Sequence, residues 1–330
     1  MTSFSVLDLS PIVQGGSASQ SFKNSLDLAQ HAERWGYKRF WLAEHHGIPG
    51  VASAATSVVI AHVAGGTSTI RVGAGGIMLP NHPPLLIAEQ FGTLETLFPG
   101  RIDLALGRAP GSDQATAQAL RRSPSSGDEF PHDVLELMGY FNDAESAQVV
   151  RAVPGAGLSI PLWILGSSQF GASLAARLGL PFAFASHFAP AYLDSAIQIY
   201  RSNFRPSPSL DRPHLMLGVS AVAADTDKEA SWLFTSLQQT FVNIRRGHPT
   251  PVPPPSRDFE RALTPFDRQQ LDSALSAACV GSHETMRAKL GAFIERTGAD
   301  ELIVATQIFD HQARLRSYEI TAEIQRELAG

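Results

Sequence analysis

Two histidines stand side by side, His45 and His46, directly after Glu44 and ahead of a Gly-Ile-Pro-Gly turn. An imidazole changes charge near neutral pH, so it serves as a proton donor, a proton acceptor or a metal ligand. As ligands the two would need partners, and His82, His187 and Asp310 are available. Adjacent side chains diverge, however, and no H-x-H or H-x-x-x-H segment would set two imidazoles on one side. For proton transfer or hydrogen bonding a single histidine suffices. The plainer alternative is a rim histidine that only bonds backbone.

Three further stretches carry chemistry. In "LGSSQFGAS", Gly166, Ser167 and Ser168 stand where a strand gives way to a helix. Free backbone N–H groups and hydroxyls at a helix start make an anion site. Arg108 sits between small residues in "LGRAPG", and a guanidinium pairs bidentately with phosphate. Together they point to a phosphate-bearing cofactor, although the serines taken alone read as ordinary N-caps. In "VGAGGI" the dinucleotide spacing G-x-G-x-x-G fails, because Met78 holds the third position. Close approach is a better use of Ala74, Gly75 and Gly76: without Cβ atoms, Gly75 and Gly76 let the backbone lie flat against a planar ring. A tight rim turn is the competing explanation.

Elements must bring these pieces together. Strand candidates run over 4–10, 39–43, 70–76, 101–107, 161–166, 181–186, 214–224 and 299–307. Most are followed by a helical pattern. In 19–37, for example, Phe22, Leu26, Ala29, Ala32 and Trp35 recur at helical spacing before a Gly36 stop. Eight strands of this kind predict an α/β protein, a (β/α)8 TIM barrel in one domain over 1–330, with a doubly wound open sheet as the alternative. In such a barrel the ends of the strands share one face. That face would collect His45 and His46, the glycines, Arg108, the serines, and the segments "SHFAP" (186–190) and "TQIFDH" (306–311). Two segments break the rhythm, about 109–160 and 245–270, and the proline-dense run at 248–258 excludes regular structure. Both read as insertions in strand-end loops. Phe130, Phe170, Phe184, Phe188 and Phe309 lie near those loops and suggest an apolar pocket.

Composition narrows the class. Hydrophobic residues make up 44% and charged residues 17%, and the net charge is −5, so nothing marks nucleic acid or an anionic membrane as partner. The single cysteine, Cys279, rules out an intrachain disulfide. No apolar stretch of about 20 residues predicts a membrane span, and the N-terminus does not look like a secretory signal. A cytoplasmic protein is expected.

The order of these motifs resembles the bacterial luciferase-like monooxygenases: "AEHHGIPG", "VGAGGIMLPNHPPLLIAEQFGTLETLFPGRIDLALGRAPG", "PLWILGSSQFGASLAARLGLPFAFASHF" and "DELIVATQIFDHQARLRSYEI". The resemblance spans nearly the whole chain. It implies a barrel that takes reduced FMN from a separate reductase and uses O2, through a flavin hydroperoxide, to oxygenate a small, mostly apolar substrate. It implies that the Gly75–Gly76 peptide is cis beneath the flavin, that Arg108, Ser167 and Ser168 hold its phosphate, and that His45 is the proton-handling residue with His46 beside it. A homodimer is also implied. One departure stands out: Gly107 occupies the position where luciferase proper has a cysteine, so light emission from a long-chain aldehyde is not expected. A deazaflavin-dependent dehydrogenase of the same superfamily and a non-catalytic flavin-binding protein are the alternatives.

Overall fold

A computed structural model describes residues 2–109, 113–122, 127–143 and 149–329. Its first half alternates β1 (Ser3–Asp8), α1 (Ala18–Trp35), β2 (Arg39–Leu42), α2 (Thr56–Gly65), β3 (Arg71–Met78), α3 (Pro84–Leu97) and β4 (Ile102–Gly107). Then come α4 (Gln114–Ala119), α5 (Phe130–Phe141), β5 (Leu162–Gly166), α6 (Gln169–Leu178), β6 (Phe182–Phe184), α7 (Leu193–Asn203) and β7 (Leu215–Ala223). The chain ends with α8 (Asp227–Arg245), α9 (Phe259–Ala262), α10 (Pro265–Ala274), β8 (Cys279–Gly281), α11 (His283–Thr297), β9 (Glu301–Ala305) and α12 (His311–Ala329). Local signals set many of these bounds. Ser17 caps α1 by accepting from the Gln20 amide at 3.2 Å, and Gly36 ends it at a left-handed φ of 87°.

All pairings between named strands are parallel. The order β1-β2-β3-β4-β5-β6-β7-β9 closes on itself, β6 pairing with β7 and β9 with β1. This is an eight-stranded (β/α)8 barrel, as the alternation predicted. The eight strands are those read from the sequence. β8 was not anticipated: its three residues pair only with Ala221–Ala223 at the end of β7. The glycine pair also sits differently. Gly75 and Gly76 lie inside β3, which runs on to Met78, and the register against β4 slips between Gly75 and Ile77.

The first rim segment contains α4 and α5; its residues 110–112, 123–126 and 144–148 lie outside the described set. The second is irregular through the prolines. Val252 ties it to the barrel, donating to the Ile12 carbonyl at 2.9 Å and accepting from the Gln14 amide at 2.8 Å. Among the described residues no helix is long and apolar enough to cross a membrane.

Side chains alternate across each strand, so half face the helices and half fill the barrel. Phe4, Val6, Phe40, Leu42, Val72, Leu104, Phe182, Phe184 and Leu302 join the outer core beneath the helices. The interior has three tiers. The lowest is ionic: Asp103 accepts from Arg39 Nη1 at 2.7 Å and Arg71 Nη2 at 2.7 Å, and Glu301 accepts from Arg39 Nε at 2.8 Å and Lys38 at 3.1 Å. The middle tier is aromatic and aliphatic. Trp41 and Trp163 meet edge to face at 5.2 Å, beside Leu7, Met216 and Ile303. Trp41 Nε1 donates down to Asp103 at 3.1 Å, so tryptophan and salt bridge form one floor. Above that floor the strands offer Ala43, Gly75, Gly107, Leu165, Gly218 and Ala305. These side chains are mostly small.

Candidate active site

The strand-end face gathers the predicted residues from separate parts of the chain. The loop after β2 carries Glu44, His45 and His46, and its end is held from two sides. Ser53 donates to the Ala43 carbonyl at 2.5 Å and to the Leu9 carbonyl at 3.2 Å. The Gly50 carbonyl accepts from Ile12, bringing this loop against the proline-dense segment. Thus the ends of β1 and β2 and one rim segment position the histidine loop.

Glu44 is the hub of this region. It is 1% exposed, and four donors converge on it. His46 Nε2 reaches Oε1 at 2.7 Å, His82 Nε2 reaches the same oxygen at 2.9 Å, and Asn81 Nδ2 at 3.2 Å. The Met78 amide donates to Oε2 at 2.9 Å. Burial alone would raise the carboxyl pKa, but the hydrogen bond and charge of His82, with the bonds from His46 and Met78, hold it below the usual range. The group is therefore ionised at neutral pH. An ionised carboxylate only accepts, so both Nε2 atoms carry a proton.

The two adjacent imidazoles therefore part company, as their spacing suggested. His46 turns back to Glu44 and is joined there by His82, a residue 38 positions away from Glu44 in sequence. His45 lies close enough to His187 for its charge to be felt there. Among the described residues, Glu44, His46 and His82 form a trio whose ligating atoms fall within 4.8 Å, wide enough for a metal ion. In this arrangement, though, the two Nε2–H groups are spent on the carboxylate, and a metal would have to displace both protons. Asp310, considered above as a ligand, instead caps α12, accepting from the Ala313 amide at 2.8 Å.

The glycine pair lines the cavity from β3. The Gly75–Gly76 peptide is cis. A Cβ on Gly75 would come within 2.7 Å of Leu7 Cδ1 and 3.0 Å of Trp41 Cβ, and one on Gly76 within 2.5 Å of the Ala105 carbonyl oxygen. Ala74 points the other way, its side chain fully buried in the outer core, so it offers this face backbone only.

The anion-binding candidates meet at the start of α6. Ser168 occupies the N-cap in extended conformation, yet its side chain makes no capping hydrogen bond. Ordinary capping therefore does not account for this serine, and the first amides of α6 keep their donors toward the rim. Arg108, just past β4, lays its guanidinium over the Phe170 ring at 4.1 Å, which places the cation at the same helix end. Ser167 and Ser168 are half-buried there. A phosphate monoester fits this donor set, and a flat ring fits the Cβ-free stretch of β3.

The phenylalanines divide. Phe130 and Phe184 are buried at 1% in the outer core and line no cavity. Phe170 at 37% and Phe188 at 69% exposure remain at the rim, and Phe309 is half-buried. The residues that sequence reasoning underused are Glu44 and His82. The acid in "AEHH" was a signal; its link to His82 becomes visible only once β2 and β3 lie side by side.

The chain matches the family model described as "Luciferase-like monooxygenase" over residues 2–301. It is 53% identical over 328 residues to a luciferase-like monooxygenase of Escherichia coli K12, covering 99% of this chain and 98% of that one. The structure of apo-MsnO8 superposes with a TM-score of 0.88 at 34% identity, covering 99% of both chains. More distant structures share the fold. The oxygenating constituent of 3,6-diketocamphane monooxygenase from Pseudomonas putida, a type II Baeyer-Villiger enzyme in complex with FMN, matches at TM-score 0.74 and 18% identity, over 98% of this chain and 97% of that one. An F420-dependent secondary alcohol dehydrogenase matches at TM-score 0.69 and 15% identity, over 96% and 97%. With the barrel, the histidine loop and the cis glycine pair in place, the chain belongs to the luciferase-like monooxygenase family.

Proposed function

We propose that this protein is an FMN-dependent monooxygenase that inserts oxygen into a small, mostly apolar organic molecule. The observation that carries this reading is the convergence on one face of the Gly75–Gly76 peptide, the uncapped α6 N-terminus and Arg108. Arg108, Ser167, Ser168 and the α6 amides would hold the phosphate. The Gly75–Gly76 stretch would lie against the ring, with Gly166 admitting α6 close to β5. Bound there, reduced FMN supplies the electrons that activate O2. His45 holds or moves a proton at a ring nitrogen beside the reacting atoms, and His46, fixed to Glu44, keeps that loop in place. The apolar middle tier and the Trp41–Trp163 floor exclude water from below.

The same reading includes a separate reductase as the source of reduced FMN and a second copy of the chain as partner. For the second copy, Val58 on α2 and Leu86 and Leu97 on α3 are exposed apolar side chains on packed neighbouring helices. Purified protein should quench reduced FMN with saturation, and Arg108→Ala should weaken that binding about tenfold, as loss of a charged hydrogen-bond partner does. Oxygen uptake and product should require reduced FMN. Hydride transfer with reduced F420 and no O2 uptake would instead place the chain with the dehydrogenases of this fold.

A further inference from the structure

We infer that His187 is the substrate-orienting residue of this cavity, and that the substrate carries one oxygen function, a hydroxyl or carbonyl, that hydrogen-bonds to its imidazole. The inference rests on the flavin reading above and extends it to the substrate class.

His187 follows β6, and β6 lies opposite β2 in the closed barrel, four strands away in either direction. The residue therefore faces the His45 loop across the mouth. Its position is built rather than incidental. Ser186 is fully buried and donates to the Gly218 carbonyl at 2.6 Å, fixing the loop to β7. The His187 ring then lies on Gly218 so closely that a Cβ there would fall 2.1 Å from Nδ1. Gly218 belongs to the upper tier of the barrel interior, so the ring projects over the cavity.

Its polar atoms have work left to do. Nδ1 is buried without a hydrogen-bond partner among the described residues. The residue as a whole is only half-buried, and Nε2 is the atom assigned to the substrate. Burial, with the charge of His45, lowers its pKa to about 4 against a small opposing effect of the Gly218 backbone, so at neutral pH the ring is uncharged. In a neutral imidazole each nitrogen has one role, donor or acceptor, so Nε2 offers the substrate one hydrogen bond and the ring attracts no anion. The barrel interior it faces carries the apolar cluster that includes Leu7, Ala43, Leu165, Ala183 and Ala305. A polar group set among apolar side chains favours a molecule with a matching polar atom and discriminates against an analogue that lacks it.

The test uses the full chain loaded with FMN and three probes of similar shape: cyclohexanone, cyclohexanol and methylcyclohexane. Binding is read from flavin fluorescence. In the wild type an oxygenated probe should bind about tenfold tighter than the hydrocarbon, the worth of one buried hydrogen bond. His187→Phe should erase that preference while leaving hydrocarbon and FMN affinity within about twofold. Gly218→Ala, which keeps the imidazole but displaces it, should reduce the preference too. Cyclohexanone binding as well as cyclohexanol shows that Nε2 donates, and a preference for cyclohexanol alone shows that it accepts. A wild type without preference, or a His187→Phe variant that keeps it, overturns the inference alone. Failure to bind FMN at all overturns the flavin reading and the inference together.

Discussion

Replacing Glu44 by glutamine tests the hub directly. The exchange keeps the shape and removes the charge. Glu44 takes three donors on Oε1 and the Met78 amide on Oε2. An amide has a single acceptor oxygen. Its cheaper orientation keeps the three side-chain donors and turns –NH2 toward the Met78 N–H, leaving a buried donor unpaired at a cost of about 1–3 kcal/mol. The three remaining bonds each lose charge assistance worth about 1 kcal/mol, and relief from burying a charge offsets part of this. The net loss should be about 2–4 kcal/mol, read as a lower urea midpoint at unchanged slope. The pH dependence supplies a second arm. Because the folded-state pKa is held below the usual 4.5, the carboxylate stabilises the fold above that pH and loses its contribution as pH falls through the depressed value. The Glu44→Gln variant has no such contribution to lose, so the two proteins should converge in stability in acid. A variant within about 0.5 kcal/mol of wild type at pH 7, or a difference that does not shrink in acid, refutes the account of Glu44 as an ionised hub.

Gly76→Ala should lower stability more than Gly75→Ala in thermal denaturation, because the first meets the Ala105 backbone and the second meets side chains that can move; equal losses would count against this packing. Glu301 is held at a pKa of about 2, burial being outweighed by the bond from His214, the charges of Arg39 and Lys38 and the Ser5 hydroxyl. Its share of stability should therefore fade only below pH 4.5, and Glu301→Gln should flatten that part of the acid profile. Cys279 is buried and its thiol is pushed up to about 11, so a thiol reagent at pH 8 should modify it only after denaturation. Elemental analysis of protein purified without chelator should find less than stoichiometric zinc or iron, since the Nε2 protons of His46 and His82 are already committed to Glu44.

The barrel was legible because its signals are local. Each of the eight strands is a short apolar run bounded by Gly, Pro or charge, and each long helix has periodicity and a stop such as Gly36 or Gly179. What escaped notice was short or lay in an interruption: β8 with three residues, and α4, α9 and α10 within or near the rim segments. α7 carries the helical spacing of Leu193, Ile197 and Tyr200 between two strand segments. For the site, motif order located the pieces but not their directions. Strand alternation from Trp41 or Gly75 would have turned Ala74 outward, and it is an outer-core residue. No local pattern could reveal the Glu44–His82 bond or the seat of His187 on Gly218, because each joins segments that meet only when neighbouring strands pair.

The ionic floor has a consequence for traffic. Arg39, Asp103, Arg71 and Glu301, with two tryptophans stacked above them, turn the barrel into a cup with one open end. Whatever reaches the depth of Gly75 leaves by the way it entered. The base thus sets the direction of traffic through residues that lie below any guest.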